Sequence, residues 1–158
     1  MVVSNNQNAY ALERARKSNI PTYVIVGKNK EEIDIELDNV FSKYNIDLIV
    51  LAGYLKLIGN RLIDKYTIIN THPSLLPKFG GKGMYGMNVH KAVIEAKEAF
   101  SGPTVHFVNN NYDEGNIISQ TKIELSNDET PESLAKKVQA AEKFQLINVL
   151  KNFINLKN

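Results

Sequence analysis

The sequence contains no cysteine, which excludes both a disulfide framework and a cysteine-based zinc site. It also lacks any apolar stretch of transmembrane length and any charged-then-apolar leader, so a soluble, cytoplasmic protein is expected. An excess of one charge is missing as well: 19 Lys+Arg stand against 17 Asp+Glu, the formal net charge is +2, and like charges run together for only a few residues. Neither nucleic acid nor a membrane is therefore expected as a partner, while a small anionic ligand stays open. What is present is 43% hydrophobic and 23% charged residues in a chain of 158, enough for a single domain over residues 1–158 with one core.

Two periods alternate along that chain. Ala11 to Ser18 places Leu12 and Ala15 at helical spacing, with Asn8 as a candidate cap, and a short β-rich run from Ile20 to Val26 follows, closed by Gly27. Lys30 to Tyr44 reads as a polar helix that turns Ile33, Leu37, Val40 and Phe41 to one side and stops at Asn45. Ile46 to Tyr54 is nearly all apolar, as in a strand covered on both faces. A weak helix at "RLIDKY", a strand at "TIIN", a helix at "VHKAVIEAKEAF" and strands at "TVHFVN" and "IISQTKIEL" come next. Thr130 caps a long final helix that starts at Pro131, with Leu134, Val138, Ala141, Phe144, Ile147 and Leu150 as its apolar stripe. This alternation predicts an α/β fold with an open, mostly parallel, Rossmann-like sheet flanked by helices. "MVVSNNQNAY" starts in what reads as the end of a strand, so the usual first strand, glycine turn and helix are expected to be missing.

The chemistry concentrates where "TIIN" ends. Ligands of open parallel sheets bind beyond the carboxyl ends of the strands, and Asn70 and His72, two residues apart, face one side of an extended chain there. Pro73 and Pro77 stiffen the exit, and the glycines from Gly80 to Gly86 permit close backbone approach. A second strand, beginning "HFVNNNYDEGN" at His106, ends in a polar turn that contains Asp113. Taken alone, Asp113 before Gly115 is a turn residue and Asn70 and His72 satisfy a strand end. Taken together, a carboxylate beside an imidazole favours its charged form and fixes one tautomer.

"NTHPSLLPKFGGKG" followed by "GPTVHFVNNNYDEGNIISQ" resembles the folate-dependent formyltransferases, most closely the branch that acts on glycinamide ribonucleotide in purine biosynthesis. The likeness runs from "SNNQNAYALERA" to "VQAAE". It implies direct, metal-free transfer of a formyl group from 10-formyltetrahydrofolate to an amine, with Asn70, His72 and Asp113 as the catalytic residues. By the same resemblance, Leu55, Leu57 and Ile58 hold the pterin, with Asn109, Asn110 and Asn111 in the opposite wall, Glu142 meets the substrate's amine end, and Gln139 meets its ribose side. Gln139 and Glu142 are three apart and so share a helix face. A solvated helix face and plain core are the corresponding bland readings. The resemblance assigns no catalytic role to Asn88 or His90, and it places the family's phosphate-gripping loop in the missing first unit. Relative to the family the chain reads as truncated at its N-terminus, and the exposed strand edge this implies makes a homo-oligomer plausible. Methionyl-tRNA formyltransferases and formyltetrahydrofolate hydrolases share the same three residues. Length and the "HPSLLPKFGGKG" context argue against them, with no basic patch, C-terminal RNA-binding domain or preceding regulatory domain expected. A noncatalytic folate-binding remnant is the reading from a different class.

Overall fold

The computed structural model describes residues 1–155 and divides into two units, one formed by Met1–Ile46 with Ile58–Lys65, the other by Asp47–Leu57 with the chain from Tyr66 onward. In the first unit β1 (Val2–Ser4) lies parallel to β2 (Thr22–Val24), joined through α1 (Tyr10–Lys17). Leu12 and Ala15 are buried at their expected spacing, but Ala9, not Asn8, occupies the N-cap and no side chain caps it. The Asn8 backbone instead donates to the Asn6 side chain at 2.9 Å, a local turn that competes with capping. Helix α2 (Lys30–Phe41) opens on a reciprocal cap: Asn29 accepts from the Glu32 N–H while the Glu32 carboxylate accepts from the Lys28 N–H. Ile33, Leu37, Val40 and Phe41 are buried as expected. The helix ends three residues before Tyr44, where the pattern tightens to i→i−3 bonds from the Lys43 and Tyr44 N–H groups to the Val40 and Phe41 carbonyls. A single turn, α3 (Asn60–Ile63), closes this unit.

The second unit carries the larger sheet, in the order β3 (Ile49–Leu51), β4 (Ile68–His72), β6 (Thr104–Phe107), β7 (Ile117–Gln120). The parallel pairings read from the alternation are β1 with β2 and β3 with β4; β6 and β7 add to the other side of β4 in antiparallel fashion. Ile49, Val50 and Leu51 are half-buried rather than fully covered, consistent with β3 being the last strand of this sheet. The β6–β7 pairing shifts register between Val105 and His106, where Ile118 of β7 is the extra residue. "IISQTKIEL" divides after Gln120: β8 (Ile123–Glu124) leaves the sheet and pairs with β5 (Phe100–Ser101).

Helix α5 (Pro131–Asn155) packs on this sheet and on α4 (Met87–Glu95). Val89 and Val93 of α4 pack with Leu134 and Val138 of α5, and further along α5 Val149 packs with Ile69 and Val105 of the sheet. Thr130 caps α5 as expected, accepting from the Ser133 N–H at 3.1 Å. The expected apolar stripe is corrected in its second half, where Phe144 is 69% exposed and Ile147 43%, while Gln145 and Val149 are buried. Gln145 enters the core because its amide donates to the Ser119 hydroxyl of β7 at 3.0 Å, which offsets its desolvation.

Candidate functional site

Strand β4 delivers Asn70 and His72 to one side of the sheet, and its register with β6 places His106 directly opposite Asn70 and Thr104 opposite His72. Beyond the end of β4 the chain is braced by Thr104, whose hydroxyl donates to the Ser74 carbonyl at 2.6 Å and accepts from the Leu76 N–H at 3.1 Å. Gln120 of β7 bonds to the same hydroxyl and to the Leu76 carbonyl. The glycine-rich segment then folds over Asp113. A β-carbon on Gly80 would lie 2.6 Å from the Leu76 side chain and 3.1 Å from Asp113, and the Gly81 N–H donates to the Asp113 carboxylate at 2.9 Å. The loop is irregular because it must approach this carboxylate closely.

Asp113 lies in the turn after β6 and holds a left-handed φ of 59°. Its two oxygens lie 3.4 Å from His72 Nδ1 and 3.6 Å from His106 Nε2, and all three side chains are nearly enclosed. Burial alone would raise the carboxyl's pKa, but the neighbouring His106 and His72 imidazoles and the Gly81 N–H outweigh it and hold Asp113 well below the usual carboxylate range. His72 Nε2 donates to the Phe79 carbonyl at 2.8 Å, so both nitrogens of this ring are engaged. His106 Nδ1 lies 2.8 Å from the Phe107 carbonyl, and His106 Nε2 lies 3.1 Å from the Asn70 amide nitrogen.

Asn70, His72 and Asp113 are thus brought together. Glu142 of α5 joins this environment: half-buried, it faces the Thr71 hydroxyl without closing a bond of ordinary geometry. Burial raises its pKa, an effect that Thr71 and the His72 charge only partly offset. Gln139, three residues earlier, is exposed. Leu55 is 58% exposed and Leu57 half-buried in the second unit, whereas Ile58 is 4% exposed and belongs to the first. Asn109 is half-buried and accepts from the Asn111 N–H, Asn110 is exposed, and the Asn111 amide donates to Glu114. Asn88 bonds to the Gly83 carbonyl, and His90 is buried with its Nδ1 unpartnered and its pKa lowered by burial and by the nearby His72.

His106 is the site residue that reading the sequence for function passes over. Its signal was an imidazole inside the apolar run "TVHFV", in the strand that leads to Asp113. Among the described residues no group of three or more His, Cys, Asp or Glu is arranged to hold a metal ion, and no helix is long and apolar enough to cross a membrane.

Residues 1–150 match a family model described as formyl transferase. The chain is 45% identical over 144 residues to the chloroplastic phosphoribosylglycinamide formyltransferase of Arabidopsis thaliana, an alignment that covers 87% of this chain and 49% of the relative. To the phosphoribosylglycinamide formyltransferase of Haemophilus influenzae it is 38% identical over 145 residues, covering 88% and 64%. Among solved structures, glycinamide ribonucleotide transformylase 1 from Symbiobacterium toebii superimposes with a TM-score of 0.81 at 32% identity, over 89% of this chain and 66% of that one. Phosphoribosylglycinamide formyltransferase from Streptococcus pneumoniae does so with a TM-score of 0.86 at 28% identity, over 98% and 86%. The chain spans about half the length of the plant relatives that it matches.

Proposed function

The chain belongs to the formyl transferase family, and we propose that it moves a formyl group from 10-formyltetrahydrofolate to the amine of glycinamide ribonucleotide, as one formyltransferase domain. The observation that carries this reading is the junction of Asn70, His72 and Asp113 at the carboxyl end of β4, with the carboxylate held ionised against an imidazole. The amine nitrogen attacks the formyl carbon and the carbonyl pair moves onto oxygen, giving a tetrahedral intermediate. The attacking nitrogen then loses its proton, N10 of the folate gains one, and the C–N10 bond breaks.

This chain's residues suit those needs. The Asn70 amide donates to the developing oxyanion, and an imidazolium at His72, sustained by Asp113, stabilises the same charge. One preorganised donor of this kind contributes about 10²- to 10³-fold in rate. Because the Phe79 carbonyl occupies His72 Nε2, direct contact between His72 and the oxyanion requires that carbonyl to be exchanged for substrate. Asp113, with water, carries the proton shed by the amine. Leu55, Leu57 and Ile58 serve the pterin with Asn109, Asn110 and Asn111 opposite, and Glu142 and Gln139 serve the ribonucleotide.

The test is formyl transfer by this chain with both substrates, alongside His72→Ala, with size-exclusion chromatography to show whether the active species is a monomer or a homo-oligomer. Transfer lost in His72→Ala supports the proposal. Formate release without amine acceptance points to a hydrolase, and folate binding without either reaction points to a binding remnant.

A further inference from the structure

We propose that His106 is a positioning residue: its neutral, Nδ1-protonated ring accepts from the Asn70 amide and so fixes which end of that amide faces the reaction, an inference that rests on the function proposed above. His106 is 2% exposed, and the β4–β6 register makes it the cross-strand partner of Asn70. The β4–β6 pairing runs without a break from Ile69↔Phe107 to His72↔Thr104, so this opposition is part of a regular ladder. Nδ1 lies 2.8 Å from the Phe107 carbonyl, which can only accept, so Nδ1 carries a hydrogen.

Nε2 then holds either a lone pair or a second hydrogen, and its two neighbours require opposite choices. The Asn70 nitrogen at 3.1 Å requires the lone pair; the Asp113 oxygen at 3.6 Å would prefer the hydrogen. Distance favours Asn70: a hydrogen on Nε2 would help hold Asp113 ionised, but His72 and the Gly81 N–H, both nearer to the carboxylate, do so without it. Charge favours Asn70 too. One carboxylate stands between two buried imidazoles and lies nearer to His72, at 3.4 Å. A second imidazolium at His106 would be a buried charge without a full counterpart, which is costly. With His106 neutral, one Asn70 N–H is bound to it and the other is left for an oxyanion. A charged His106 would turn the Asn70 carbonyl oxygen toward itself and carry both N–H groups to the other end of the amide. The carboxylate of Glu142 faces Thr71 and His72 on the other side and does not alter this assignment.

The experiment compares His106→Leu, His106→Gln and Asn70→Ala, singly and in combination, by steady-state kinetics. His106→Leu is expected to lower kcat about 10²- to 10³-fold, the loss of one oriented donor, with KM nearly unchanged. His106→Gln, whose carbonyl oxygen can take the place of Nε2, is expected to restore at least about tenfold of that loss. In the Asn70→Ala background His106→Leu should add almost nothing, because its partner is already gone. A kcat for His106→Leu within about threefold of the parent, or equal losses in both backgrounds, would overturn the proposal. Nitrogen-15 NMR of the His106 ring in the unaltered chain at neutral pH decides the matter independently of folding of the variants. Protonated Nδ1 with unprotonated Nε2 is expected, and a protonated Nε2 overturns it. Absence of transfer in the unaltered chain would count against the proposed reaction, while the NMR result still settles the tautomer.

Discussion

Asp113 combines an unusual backbone with an unusual charge. Its φ of 59° lies in the left-handed region that few residues other than glycine, asparagine and aspartate adopt cheaply, and from there its carboxylate meets the Gly81 N–H and both imidazoles. Asparagine tolerates the same backbone and keeps an acceptor for Gly81, so Asp113→Asn removes the charge and little else. Its kcat for formyl transfer should fall about 10²- to 10⁴-fold, with the chain still folded by circular dichroism; an undiminished rate would remove Asp113 from the mechanism. The same residue shows how far the site can be read from the sequence. Asn70 and His72 were legible because a spacing of two on a strand fixes a common side. Asp113 reads equally well as a turn residue, and it is one: the turn conformation and the catalytic placement are the same fact. His106 was not legible as a partner of Asn70, because cross-strand register is a tertiary property set by packing. Gln139 and Glu142 share a helix face in the sequence, yet one is exposed and the other half-buried, a difference that spacing along one helix does not carry.

At the scale of elements, two helices end in the same way. After α1, Asn19 takes a φ of 54° and the Ile20 N–H returns to the Ala15 carbonyl; after α4, Lys97 takes a φ of 52° and the Glu98 N–H returns to Val93. Both are Schellman closures, and both place a residue with a β-carbon where glycine is favoured. Asn19 suits the position, whereas Lys97 does not, and Lys97 is exposed. Lys97→Gly should therefore stabilise the chain by about 0.5–1 kcal/mol in urea unfolding, and a loss of stability would show that the lysine side chain has a structural task. Starts of helices were easier to foresee than their faces. Asn29 and Thr130 cap through side chains whose pattern is local in the chain. In the second half of α5 apolar residues occur on more than one face, so periodicity alone did not separate Val149, which is buried, from Phe144, which is not. Likewise the antiparallel addition of β6 and β7 to a parallel β3–β4 pair left no trace in strand composition.

Over the whole molecule, charge is nearly balanced, so pH dependence of stability comes from individual groups rather than from net repulsion. Two carboxylates near His72 act in opposite directions. Asp113 has a depressed native pKa: its contribution is present above its unfolded value and is lost only as pH falls through the lower native value. Between pH 4.5 and 7 that contribution is therefore constant. Glu142 has a raised native pKa, chiefly through burial, so below its ordinary value of 4.5 it costs nothing, and as pH rises through the native value its ionisation destabilises the fold. Asp34, also buried and raised, adds a change of the same sign in the first unit, so only a difference measurement isolates Glu142. Glu142→Gln keeps the shape and removes the ionisation. The variant should be more stable than the parent at pH 7, with the gap closing as pH falls to about 4.5, when unfolding free energies of both are compared across that range. Under the proposed function the same change weakens ribonucleotide binding, raising KM while stability increases, the pattern of a group kept for its substrate against the preference of the fold. A gap that stays constant with pH would mean that Glu142 is not the group whose ionisation the fold resists.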